Sequence, residues 1–169
     1  MSKIVWLTGI SGAGKTTLAN SLFEEFKKRQ LPVTILDGDK VRDFFEGDLG
    51  YSRQERIMNV RRIAFTAHEL CQNGVNVIVA NIAPYYEVRD FIRRKLSANY
   101  IQIYLKVSLD EVTRRDVKGL YKQFNTGNLE NIIGADDGYD VPRNPDLVIQ
   151  TGNEDAQTSL KKIIDFIFP

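Results

Sequence analysis

The sequence predicts an α/β fold built on a five-stranded parallel sheet flanked by helices. Three observations carry that expectation. Five short runs rich in Val, Ile or Leu alternate with stretches of helical period, the pattern of βαβ units whose helices cover both faces of a sheet. The first run ends in a glycine cluster that opens directly into a helical stretch. A hydrophobic content of 43% and a charged content of 27% over 169 residues suit a packed core rather than a disordered chain.

The elements follow in order. Residues 3–8 hold the first strand, with Ile4, Val5, Trp6 and Leu7 between polar neighbours, and residues 15–29 the first helix. A second strand at 33–36 leads into a helix beginning near Lys40, with Asp37 and Asp39 placed to cap it. Helix 53–73 precedes strand 75–80, helix 86–95 precedes strand 101–107, and a short helix occupies 109–116. From 118 to 145 the rhythm breaks: no strand pattern is present, but four Gly and two Pro are. A loop of that length inside a compact domain reads as a mobile lid over a ligand. Strand 147–150 and helix 156–168 complete the chain, the stripe Leu160, Ile163, Ile164, Phe166 and Ile167 packing on the sheet. Residues 1–169 are thus read as a single domain with its lid at about 118–145.

Composition excludes several classes of function. Lys+Arg 23 against Asp+Glu 22 gives a net charge of +1, with no global bias toward nucleic acid or anionic membrane. One cysteine, Cys71, and one histidine, His68, leave no internal disulfide and no zinc site built on several such ligands. Nothing near His68 resembles a nucleophile elbow. The apolar opening is too short to span a membrane and lacks a signal-peptide cleavage pattern. The expectation is a cytoplasmic protein with neither a membrane nor a nucleic acid as partner.

The glycine cluster carries the chemistry. Gly9-Ile10-Ser11-Gly12-Ala13-Gly14-Lys15-Thr16 matches the phosphate-binding P-loop, Gly, four residues, Gly, Lys, then Ser or Thr. Its glycines let backbone N–H groups turn toward phosphate oxygens, and the helix that follows offers its positive end to the same anion. ATP is expected to touch Gly9, Ser11, Gly12, Ala13, Gly14, Lys15, Thr16 and Thr17. Lys15 would reach the β- and γ-phosphates and the Thr16 hydroxyl would bind Mg²⁺. A GTPase-type switch is disfavoured, because no Asp-x-x-Gly directly follows the third strand and no Asn-Lys-x-Asp exists. A small-molecule kinase is the stronger reading. Asp37 and Asp39 stand at the carboxyl end of the second strand, where parallel sheets bind ligands. Asp39 is the candidate base for the attacking hydroxyl; Asp37 is a candidate for the metal shell.

With the P-loop, Asp37-Gly38-Asp39-x-Val41-Arg42, Asp48-Leu49-Gly50-Tyr51-Ser52, Arg56-x-x-Asn59-x-Arg61-Arg62, Lys118-Gly119-Leu120-Tyr121-Lys122 and Tyr139-x-x-Pro142-x-Asn144-Pro145, residues 3–150 resemble the adenylylsulfate (APS) kinase family. The resemblance implies a P-loop kinase fold, a homodimer, Mg-ATP as donor, and transfer of the γ-phosphoryl group to the ribose 3′-hydroxyl of a small nucleotide. It further implies acceptor contacts from Asp39, Arg42, Tyr51, Arg56, Asn59, Ile82, Ala83 and Ile132, with Lys118 and Lys122 approaching from the lid. Arg115 and the loop at Thr151 would hold the adenine of ATP.

Departures from the family pattern cluster on the acceptor side. Lys40 replaces Asn after the Gly-Asp pair, and Asn81-Ile82-Ala83-Pro84-Tyr85-Tyr86 stands where the family has Phe-Ile-Ser-Pro, an aromatic and Arg. Ile132 stands where a lid Phe would stack on the acceptor base opposite Tyr51. Half a sandwich points to a smaller base. The preferred expectation is therefore a kinase for cytidine diphosphoramidate, serving the phosphoramidate decoration of capsular polysaccharide. The alternative is an APS kinase in sulfate assimilation, and a non-catalytic nucleotide-binding switch is a remote third reading.

Overall fold

A computed structural model describes residues 2–116 and 118–169. The five expected strands form one sheet: β1 (Ile4–Thr8), β2 (Val33–Asp37), β3 (Asn76–Ala80), β4 (Tyr100–Leu105) and β5 (Leu147–Ile149). Their order across the sheet is β2-β3-β1-β4-β5, and every pair is parallel. β1 and β3 are buried along their whole length, which is why they read as continuous apolar runs rather than alternating ones.

Alternate residues of each strand feed two cores. Ile4, Trp6, Val77 and Val79 face a cluster closed by α3 (Arg53–Gln72) and α4 (Tyr86–Leu96). Val5, Leu7, Ile78, Ile103 and Leu105 face the opposite cluster, closed by α1 (Lys15–Lys28) and α7 (Ala156–Ile167). α1 contributes Leu18, Leu22 and Phe26, spaced four apart on one face. α7 contributes Ile163 and Ile167, as its stripe predicts, although Phe166 remains 42% exposed. Each such side chain contributes about 1.5–3 kcal/mol on burial. Cys71 is buried and donates to the carbonyl of Ser2.

Local signals set the helix ends. Ser52 and Glu55 form a reciprocal capping box at the start of α3, and Asp155 accepts from the Thr158 amide at 2.7 Å to start α7. α2 (Gly38–Phe44) is capped by Asp37 and begins two residues ahead of the sequence expectation. α5 (Leu109–Arg115) stops where Asp116 turns left-handed, with φ 31°. The expected lid is not all loop: α6 (Leu120–Asn125) lies inside it. That helix is nucleated from outside its own sequence, because the Asp116 carboxylate accepts from the amides of Tyr121 and Lys122, both at 3.0 Å. No helix among the described residues is long and apolar enough to cross a membrane.

Since all strands run the same way, the P-loop after β1, the Asp37 turn after β2 and the Asn81 segment after β3 emerge at one edge of the sheet. β1 turns one way to β3 and the other way to β4, so this edge is a topological switch point, the place where such sheets open a crevice.

Candidate active site

The P-loop curls between β1 and α1. Gly14 starts α1 in a left-handed conformation, φ 95°, and no side chain caps the helix there. The first-turn amides are left for an anion. Lys15 folds back over the loop, donating from Nζ to the carbonyls of Gly9 and Ile10, each at 2.8 Å. Burial in that position pulls its pKa down to about 7; the Lys118 charge adds to the effect, and Asp39 and Asp37 oppose it.

Asp37 serves two neighbours at once. Its Oδ1 accepts from the Asp39 amide at 2.9 Å, capping α2, and its Oδ2 accepts from the Thr16 hydroxyl at 3.2 Å. The capping role that sequence allowed for both aspartates therefore falls to Asp37. Asp39 leaves its carboxylate 72% exposed and pairs it with Lys118 Nζ at 2.9 Å. That hydrogen bond is the main reason Lys118 is held above the usual lysine range.

Across the cavity, Arg42 and Arg56 flank the ring of Tyr51 at 4.6 and 5.2 Å. Arg42 is fixed by the carbonyls of Leu49 and Gly50, at 2.9 and 2.8 Å. Arg56 donates to the carbonyls of Tyr51 and Asn131 and lies 3.5 Å from the Asp137 carboxylate. Burial lowers its pKa. Asn59 is buried and reaches the Gly38 carbonyl at 3.5 Å. The lid is docked on this assembly: Tyr121 donates to the Ser11 carbonyl at 2.9 Å, Gly134 rests against Ile10, and Ile132 and Ile133 are buried in the same cluster as Val60 and Ala83.

These groups enclose one cavity of about 480 Å³, within the usual range for small-molecule sites. Ser11, Gly12, Gly14, Lys15, Thr16, Thr17 and Asp37 line its phosphate end. Asp39, Arg42, Tyr51, Arg56, Asn59, Ile82, Ala83, Lys118 and Ile132 line the remainder. Five expected contacts lie outside the lining. Gly9 sits against the Leu105 carbonyl and Ala13 is fully buried, so both shape the loop from behind. Arg115 donates to the Thr151 carbonyl at 2.8 Å, which brings those two together but away from this cavity. Lys122 gives its backbone amide to Asp116.

Two residues escaped sequence reasoning. Asp137, in the lid, reaches Arg56 and accepts from the Tyr85 hydroxyl at 3.3 Å. Arg89 is only 5% exposed; it donates to the carbonyls of Ala83 and Asp140 and lies near the rings of Tyr86 and Tyr139. It ties the lid's far end to the cavity wall. Its only sequence signal was a cation beside Val88 on the buried face of α4.

Comparison with known proteins agrees with this geometry. The family profile described as adenylylsulphate kinase matches residues 1–150. An adenylyl-sulfate kinase of Picosynechococcus sp. is 41% identical over 160 residues, covering 95% of this chain and 90% of that one. One from Deinococcus deserti is 42% identical over 165 residues, covering 98% and 91%. The structure of the Mycobacterium tuberculosis APS kinase in complex with AMPPNP and APS superposes with a TM-score of 0.94 at 30% identity, covering 99% of this chain and 98% of that chain.

These relatives correct the preferred expectation of a cytidine diphosphoramidate acceptor and a place in capsule formation: relatives at this identity carry the adenylyl-sulfate kinase name. The loss of one stacking face does not by itself select a smaller base. Ile132 keeps that wall apolar, Arg42 and Arg56 keep their places, and a cavity of about 480 Å³ does not itself exclude a purine. A phosphate loop facing a carboxylate and paired arginines across one cavity is what this kinase chemistry needs, and the chain belongs to the adenylylsulphate kinase family, as a P-loop phosphotransferase that acts on an alcohol group of a nucleotide.

Proposed function

We propose that the protein is an ATP-dependent adenylylsulfate kinase, transferring the γ-phosphoryl group of ATP to the ribose 3′-hydroxyl of adenylylsulfate. The observation that carries this reading is the single cavity with Lys15 and Thr16 at one end and Asp39, Arg42 and Arg56 at the other. The amides of the P-loop and the start of α1 bind the donor's phosphates, and Lys15 turns from its carbonyl partners to the β- and γ-phosphates. Arg42 and Arg56 hold the acceptor's anionic phosphate–sulfate group, and Tyr51 offers an aromatic face to its base.

Asp39 accepts the proton of the 3′-hydroxyl as its oxygen bonds to the γ-phosphorus and the bond to ADP breaks. The reaction thus ends with ADP, a 3′-phosphorylated nucleotide and one proton on Asp39. Lys118, paired with Asp39 before ligands arrive, is released as the acceptor enters and meets the charge that develops on the transferred group. For this exchange the lid, about 118–145, opens and recloses, shutting water away from the γ-phosphate.

Mg²⁺ fits the donor end. The Thr16 hydroxyl and Asp37 carboxylate are adjacent hard oxygen donors, and magnesium takes few protein ligands beside phosphate and water. When bound, it neutralises charge on the β- and γ-phosphates. Arg115 and Thr151 are proposed for the adenine and Lys122 for the acceptor side. A cytoplasmic location, where ATP is available, and a homodimer complete the proposal, the latter to be checked by analytical ultracentrifugation. The decisive experiment is ADP release from Mg-ATP with adenylylsulfate, with the product's 3′-phosphate identified by mass spectrometry. Adenylylsulfate-dependent turnover supports the reading; ADP release independent of adenylylsulfate, or a higher kcat/KM on another nucleotide, overturns it.

A further inference from the structure

We infer that Asn81 is a specificity-determining contact for the acceptor nucleotide, its Nδ2 donating to an acceptor oxygen beside Asp39; this rests on the kinase reaction proposed above. Asn81 follows β3 and lines the same cavity as Asp37 and Asp39. Its amide orientation follows from its neighbour: Oδ1 accepts from the Ala83 backbone N–H at 2.9 Å, and a backbone N–H can only donate. Nδ2 is therefore turned the other way. It lies so close to Gly38 that a Cβ at that position would be 2.3 Å from it. Gly38 is the residue between the two aspartates, so its lack of a side chain is what admits this amide to the centre of the site.

Among the described residues, Nδ2 has no acceptor. Asp37 is turned elsewhere, its two oxygens accepting from Asp39 N and Thr16 Oγ1. Asp39 is turned to Lys118. A free donor is thus left in the cavity against Gly38, the residue before the carboxylate that would take the acceptor's proton. The P-loop amides and Lys15 already serve the donor's phosphates, while Asn81 leads directly into Ile82 and Ala83 of the opposite wall. The ligand chemistry is therefore an oxygen of the acceptor, a ribose hydroxyl or its neighbouring phosphate. Where the family pattern carries Phe, a ring could give neither hydrogen bond.

The other end of the amide builds the wall. Ala83 sits at φ 43°, a left-handed conformation disfavoured for a residue with Cβ. Asn81 holds its amide, and Arg89 holds its carbonyl at 2.7 Å. Asn81→Asp separates the two roles, since it keeps an oxygen for Ala83 N and replaces the Nδ2 donor with another oxygen. The expected result is an acceptor KM raised about tenfold or more, with the ATP KM within about twofold and the melting temperature retained. Asn81→Ala should raise the acceptor KM likewise while lowering the melting temperature, and it carries the test if Asn81→Asp does not fold. Parallel substrates lacking the 2′-hydroxyl separate a ribose contact from a phosphate contact: the Asn81→Asp effect collapses for the deoxy substrate only in the first case. An acceptor KM within about twofold of wild type, or equal shifts in both KM values, overturns the inference. Wild-type turnover of adenylylsulfate is measured first; its absence rejects the proposed reaction, whereas an active wild type with an unchanged Asn81→Asp variant rejects only the role of Asn81.

Discussion

Raising the pH from 7 to 9 should weaken ATP binding about 50-fold, through Lys15 alone. That lysine is buried under the P-loop with its pKa down at about 7, against an ordinary 10.5. Bound to a triphosphate it must carry its charge, so each pH unit above 7 adds a step of protonation to the cost of binding. With its pKa at about 7, about half the molecules hold the proton at pH 7 and about one in a hundred at pH 9, a ratio of about 50 or about 2 kcal/mol. Below pH 6 the lysine is charged already and the dependence vanishes. ATP contributes little above pH 7, because a terminal phosphate loses its last proton at about 6. Isothermal titration calorimetry in buffers of different ionisation enthalpy reads both the affinity and the proton uptake, expected to approach about one proton at pH 9. Lys118→Ala removes the next-largest cause of the shift and should move the inflection to higher pH. A flat affinity between pH 7 and 9 with no proton uptake would refute the reasoning, since it would mean that Lys15 is charged before ATP arrives.

Three further outcomes are expected. Asp39→Asn should lower kcat by about 10²–10⁴-fold with ATP affinity within about twofold; an equal loss in both, read by steady-state kinetics and calorimetry, would make Asp39 structural. Lys118→Ala should reduce acceptor-dependent kcat about tenfold or more while leaving the fold intact by circular dichroism, and an unchanged kcat would remove the lid lysine from the reaction. Arg89→Met leaves the carbonyls of Ala83 and Asp140 without their donor and should cost about 2–4 kcal/mol, a fall of several degrees in melting temperature; an unaltered melt would contradict its role as a tie.

Much of this architecture was legible because strand and helix signals agreed with one another. The apolar runs around Trp6 and Val77 could only be buried strands, and the P-loop fixed the junction between the first strand and first helix. What escaped was set by groups distant in sequence. α6 depends on a carboxylate at Asp116, outside the helix it starts, so its own six residues carry little signal. Arg89 looks from sequence like any surface cation on an amphipathic helix; only the carbonyls of Ala83 and Asp140 explain its burial. At the site, the motif residues Lys15, Thr16, Asp37, Asp39, Arg42 and Arg56 meet as their pattern implied. The acceptor's identity is not legible in the departures at Lys40, residues 81–86 and Ile132, because the lid position Ile132, which weighs most among them, is only one wall of a cavity whose other sides are gathered from distant segments.

The strand order has a consequence for how the protein is made. β1 pairs with β3 and β4 but not with β2, its neighbour in the chain. On the ribosome the first strand therefore emerges with no partner, and about 70 residues pass before β3 is available. At synthesis rates of about 5–20 residues per second, that is an interval of about 4–14 s in which the nascent Ile4, Val5, Trp6 and Leu7 are unprotected. The same topology that gathers three loops at one edge of the sheet thus leaves an apolar strand without its sheet partners early in translation, and defers the phosphate loop's final shape until Leu105 of β4, against which Gly9 sits, has been synthesised.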